Sequence, residues 1–92
     1  MQETTVSYGL MFEKAPTELK ANIHFHIPVA CKLILKVLCH EEEVRLLMNE
    51  TVNVGNHVVE FNFSHLPKEL YSIKLIVETA ISIDKETIIV QL

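Results

Sequence analysis

His24 and His26 stand two residues apart, so on an extended chain both imidazoles leave the same face, a spacing that can hold a zinc ion. A complete site needs a third or fourth ligand from His40, His57, His65 or a carboxylate, and no spacing in the chain predicts one. The expectation is therefore two solvated histidines, with no metal and no cofactor. His57 keeps step with Val59 and Phe61 and reads as a half-buried packing residue. The two cysteines are Cys31 and Cys39. If one strand carries both, eight residues at about 3.3 Å each hold them roughly 26 Å apart. A disulfide requires Cα atoms within about 7 Å, so both are expected as free thiols. Neither sits in a nucleophile elbow or another catalytic signature, and no enzyme activity or small-molecule substrate is expected.

Glu41-Glu42-Glu43 lacks the alternating Asp and Gly that shape a calcium loop and reads as a solvated hairpin turn. Asn49-Glu50-Thr51 and Asn62-Phe63-Ser64 match the glycosylation triplet. Such short triplets are common by chance, and Ser64 is read instead as bracing the following loop through local hydrogen bonds.

Positioning any of these groups falls to an apolar framework. At 92 residues the chain holds one domain and one core, taken as residues 1–92 with 1–16 a leader or edge segment. Hydrophobic residues make up 49%, enough for a dense interior, and two glycines and three prolines argue against a linker or disorder. A net charge of −4 without a basic cluster excludes a nucleic-acid footprint. Lys32, Lys36, Lys74 and Glu78 break the apolar runs, so membrane insertion is not expected. The first residues carry no basic stretch leading into an apolar run and do not read as a secretory signal.

The hydrophobic period is two. Leu19 to Ile27 alternates apolar and polar without exception, and Pro28 ends the run. Cys31 to Cys39 places Leu33, Leu35 and Val37 on one face. Val44 to Met48 follows, then the turn Asn53-Val54-Gly55-Asn56 and the run His57 to Phe63. Ser64 to Glu69 reads as a loop or one helical turn, and Tyr71, Ile73, Leu75 and Val77 share the next inner face. Ile81 to Ile83 and Thr87 to Leu92 read as two short strands split by Asp84-Lys85-Glu86. Six or seven strands at this spacing predict an all-β fold, an antiparallel β-sandwich.

The stretch Asn49 to Leu75 resembles the C-terminal sorting domains of the bacterial type IX secretion system, which are Ig-like sandwiches. Asn49, Gly55, His57, Val59, Phe61, Asn62, Ser64, Leu66, Pro67 and Tyr71 fall in step with that family's pattern. The resemblance extends from about Ala21 onward. The family usually places Gly in the turn after its second strand and two residues before the Tyr, where this chain has His40-Glu41-Glu42-Glu43 and Glu69. The resemblance implies an Ig-like sandwich of about seven strands in which Gly55, Val59, Phe61, Asn62, Leu66, Pro67 and Tyr71 are positions of shape. It also implies a non-catalytic address tag docked by an outer-membrane translocon, on a passenger bound for the medium or the cell surface.

Ile34, Leu38, Val58 and Ile76 fall on the nominal outer faces of their strands and are the candidate partner surface. They form an exposed patch unless a loop or the N-terminal segment covers them. The alternative function is a free-standing interaction module, natural or engineered, that self-associates through an edge strand or this apolar face. A start at Met1 favours the module. The partner in either case is protein, a translocon or a second copy.

Overall fold

The computed structural model describes residues 7–92. Seven strands follow in chain order: β1 (Met11–Lys14), β2 (Lys20–Ile27), β3 (Cys31–Cys39), β4 (Glu42–Val52), β5 (Gly55–Asn62), β6 (Leu70–Glu78) and β7 (Ile83–Gln91). They form a three-stranded sheet in the order β1-β2-β5 and a four-stranded sheet in the order β4-β3-β6-β7. Every pairing is antiparallel. Residues 1–6 of the expected leader or edge segment lie outside the described residues; the rest of it includes β1, which forms the edge of the smaller sheet.

Alternation along the strands builds the interior. Ala21, Ile23, Phe25 and Ile27 from β2 and Phe61 from β5 face Leu33, Leu35 and Val37 from β3 and Tyr71, Ile73, Leu75 and Val77 from β6. These side chains form one buried cluster between two sheets, which makes the fold an antiparallel β-sandwich. No charged or polar residue is buried among the described residues. Branched aliphatics suit this role because they pack a pleated face and lose little further rotamer freedom there. Leu19, which opens the alternating run, is instead exposed just ahead of β2.

Three strands differ from the sequence reading, and of these β5 starts at Gly55, inside the expected turn Asn53–Asn56, and ends at Asn62. β4 runs from Glu42 to Val52, well beyond Val44–Met48, and its register against β3 slips between Leu35 and Lys36 and again between Val37 and Leu38. Val44 and Leu47 are the extra residues, so the period-two pattern breaks although the strand continues. β7 is one strand, not two, and Asp84, Lys85 and Glu86 lie within it. Asp84 is opposite buried Val77 and Glu86 opposite buried Leu75, so both acids turn toward the inner face at the rim of an edge strand.

Those two acids hold the N-terminal segment. The Glu86 carboxylate accepts hydrogen bonds from the backbone N–H groups of Tyr8 and Leu10, each at 3.1 Å. The Tyr8 hydroxyl donates to Asp84 at 2.8 Å, and the Tyr8 carbonyl accepts from the His26 N–H at 2.7 Å. Tyr8 and Leu10 are thereby buried between the rims of the two sheets. A carboxylate here does the work of a neighbouring strand's carbonyls.

The hairpin between β3 and β4 is a two-residue turn with both central residues at positive φ, His40 at 52° and Glu41 at 67°. Two-residue hairpins favour this geometry because its twist matches the strands, but Asn and Gly adopt it at lower cost than His and Glu.

Candidate functional site

The residues in step with the sorting-domain pattern gather along β5 and the corner that leads into β6. Gly55 opens β5 at φ 135°, a conformation that side chains with a Cβ rarely adopt. Val59 is half-buried opposite Ile23, and Phe61 is fully buried. The Asn62 side-chain oxygen accepts the Ser64 N–H at 2.9 Å. The loop is therefore braced by Asn62, with Ser64 contributing its backbone rather than the hydroxyl expected from sequence. Leu66 packs against the core. Ser64 to Glu69 is a loop that opens on a single hydrogen-bonded turn, the Leu66 N–H donating to the Phe63 carbonyl at 3.0 Å. Tyr71 is 2% exposed and donates its hydroxyl to the Pro67 carbonyl at 2.7 Å.

The candidate partner residues do not form one surface. Ile34 and Leu38 on β3 and Ile76 on β6 share the outer face of the four-stranded sheet, with Ile34 directly opposite Ile76. Val58 lies on the outer face of the other sheet, opposite His24, and belongs to a different surface. Alternation gives the side of a strand but not the sheet that the strand joins.

Register reveals the rest of the larger face. Leu46, opposite Lys36, and Ile83 and Ile89 on β7 all point outward and are exposed. Lys32, Lys36, Lys74 and Lys85 stand among them, four of the chain's eight basic residues. Lys36 and Lys74 are direct cross-strand partners. Like charges placed so cost roughly 0.2–1 kcal/mol. Lys36 reaches Glu43 at 3.8 Å, whereas among the described residues no carboxylate pairs with Lys74. A shallow depression of about 280 Å³ opens beside this pair, lined by Leu38, Glu41, Ser72, Lys74 and Thr87. The face offers aliphatic area with Lys74 unpaired among the described residues at its centre and Glu41, Glu43 and Glu78 toward its margins.

Among the described residues the histidine pair belongs to no set of three metal-ligating side chains. His26 Nδ1 lies 2.8 Å from the Asn56 side-chain oxygen, and His24 Nε2 is 3.8 Å from Glu13, too far for a hydrogen bond. His57 stacks on Phe25 at 5.5 Å between ring centroids and bonds the Asn53 carbonyl at 2.8 Å.

Cys31 and Cys39 occupy the two ends of β3 as free thiols. Cys39 donates to Glu69 at 3.5 Å, and His40 Nε2 reaches the other oxygen of that carboxylate at 2.9 Å. A Cys–His nucleophile needs the imidazole against the thiol, but here the carboxylate stands between them. Desolvation first, then the hydrogen bond and charge of Glu69, pushes the Cys39 thiol above its ordinary pKa, away from the reactive thiolate. A depression of about 350 Å³ at the β1–β2 end is lined by Glu13, Lys14, Lys20, Asn22 and Glu60 with Ala15, Pro16 and Ala21. No family model, curated protein or solved structure matches the chain.

Proposed function

We propose that this chain is a non-catalytic recognition domain, an immunoglobulin-like sandwich that a protein partner reads through the outer face of its four-stranded sheet. The observation that carries this is the Lys36–Lys74 pair set among Ile34, Leu38, Ile76 and Ile89. An arrangement that costs folding energy is rational where an acidic, partly aliphatic partner neutralises it. In a chain of net charge −4, this concentration of lysines also sets the orientation of approach.

Two features support the immunoglobulin-like reading. The order β1-β2-β5 over β4-β3-β6-β7 follows that plan with the fourth strand joined to the larger sheet. Tyr71, at the start of β6, returns its hydroxyl to the backbone four residues upstream, as the tyrosine corner of such domains does.

The resemblance of residues 49–75 names the partner within this reading: the type IX translocon, with the domain serving as the C-terminal address of a secreted or surface passenger. A passenger fused ahead of residue 1 should reach the medium of a type IX-competent host. The same fusion carrying Lys36→Glu and Lys74→Glu should be retained. Retention of the unmodified fusion equal to that of the bare passenger would remove the translocon reading, and equal export of both fusions would remove the lysine face from it.

Self-association is the second reading, favoured by the exposed Ile83 and Ile89 on edge strand β7. Two copies stacked on the lysine face about a two-fold axis would oppose like charges, so the edge is the better route. Light scattering across a dilution series separates the two, because a monomer at all concentrations excludes the edge-paired dimer.

A further inference from the structure

Cys39, His40 and Glu69 are the one set of three His, Cys, Asp or Glu residues, among the described residues, whose ligand atoms all lie within 4.8 Å of one another. We infer that these three side chains form a zinc-class metal site at the end of the sandwich where the β3–β4 hairpin meets the β5–β6 loop. The site shares no ligand with the His24–His26 pair and lies at the end of the recognition face, with Cys39 and His40 between Leu38 and Glu41 in the chain.

The donor set suits the ion. Zinc takes thiolate, imidazole and carboxylate ligands at about 2.3, 2.0–2.1 and 2.0–2.2 Å, and a tetrahedron with those bond lengths has edges of about 3.3–3.6 Å. Cys39 Sγ and Glu69 Oε2 are 3.5 Å apart, already an edge of that length. His40 Nε2 lies 2.9 Å from the other oxygen, Oε1, so the imidazole must shift from that oxygen for a single carboxylate oxygen to share a tetrahedron with it and the sulfur; the three ligand atoms start within 4.8 Å of one another. The three residues come from two segments that the fold holds together: β3 ends in Cys39, the turn carries His40, and Glu69 immediately precedes β6, the neighbour of β3. Three protein ligands leave a fourth position for water or a further donor.

Proton balance follows from the donors. The Cys39 thiol loses its proton to solvent as the sulfur binds the metal, and the neutral His40 ring changes tautomer through solvent, giving up the Nε2 proton directed at Glu69 and taking one on Nδ1, so that Nε2 can bind the metal. Glu69 accepts a hydrogen bond from each of the other two side chains and enters as a carboxylate, a partner for the thiolate once a cation sits between them.

The test is titration of the reduced, metal-free chain with Zn²⁺ by calorimetry and with Co²⁺ by absorption spectroscopy. Expected are one ion per chain, a monomeric product, and a thiolate-to-cobalt charge-transfer band with tetrahedral ligand-field intensity. Cys39→Ser should abolish the charge-transfer band. His40→Ala and Glu69→Gln should each weaken binding by at least about 100-fold, the upper end of losses seen for mere outer-shell partners. His24→Ala with His26→Ala should leave affinity unchanged. Far-ultraviolet circular dichroism of each variant confirms that its fold is kept. Absence of saturable binding, one metal per two chains with dimer formation, or binding lost in the His24/His26 variant but kept in Cys39→Ser would each overturn the assignment.

Discussion

Tyr71→Phe removes one oxygen from the corner between β5 and β6 and leaves the ring in place. The ring is buried and its hydroxyl makes a 2.7 Å hydrogen bond to the Pro67 carbonyl. A typical internal hydrogen bond contributes about 0.5–1.5 kcal/mol net. This bond is short, and its donor is drawn from a buried ring, which places it at the upper end. Pro67 itself is exposed, so water can satisfy the freed carbonyl and the orphan penalty stays small. The expected loss is about 1–1.5 kcal/mol. For a domain of this size the urea dependence is about 1 kcal/mol per molar, so the midpoint should fall by about 1–1.5 M with the slope unchanged. The chain has no tryptophan, and the substitution alters tyrosine emission, so far-ultraviolet circular dichroism is the proper probe. A midpoint shift under about 0.3 M would show that the hydroxyl does not fasten this corner, whereas a changed slope would show that the variant alters compactness instead.

The rim contacts of β7 predict a local effect. Glu86→Gln leaves one acceptor oxygen where two N–H groups converge, so amide exchange at Tyr8 and Leu10 should accelerate while Ile73 and Leu75 keep their protection, at a cost of about 1–3 kcal/mol. Undisturbed exchange at Tyr8 and Leu10 would refute the clasp. Burial, then the hydrogen bond to Asp84, pushes the Tyr8 phenol from 10.0 up to about 12. The native state thus holds that proton more tightly than the unfolded chain, so this stabilisation is whole below pH 10 and disappears as pH rises toward about 12. Urea midpoints measured across that window should fall more steeply for the unmodified chain than for Tyr8→Phe; parallel profiles would contradict the shift. Glu41→Gly places a residue without Cβ at φ 67°, relieving crowding of about 1 kcal/mol, partly offset by the freer unfolded chain. The urea midpoint should rise modestly, and a fall would mean that the hairpin turn adopts another conformation.

The alternating runs made most of the fold legible. Ile23, Phe25 and Ile27 on β2, Leu33, Leu35 and Val37 on β3, and Tyr71 to Val77 on β6 face inward as the period of two requires, because neighbouring side chains on a strand leave opposite faces. Reading failed where local pattern and tertiary need diverge. β4 slips register twice, and β7 carries Asp84 and Glu86 on its inner side because the N-terminal segment presents N–H groups there. Val58 could not be separated from Ile34, Leu38 and Ile76, since periodicity is silent about which sheet a strand joins.

What the amino-acid sequence determined by itself is the two-faced character of each strand and hence a layered β interior, a local consequence of backbone geometry. Tertiary structure alone decided which strands neighbour one another. That pairing sets Lys36 against Lys74 and brings Glu69 to Cys39 and His40, some thirty residues away along the chain. Cross-strand register is a long-range quantity: it depends on how the two sheets close around a shared core, and no short window of residues contains it.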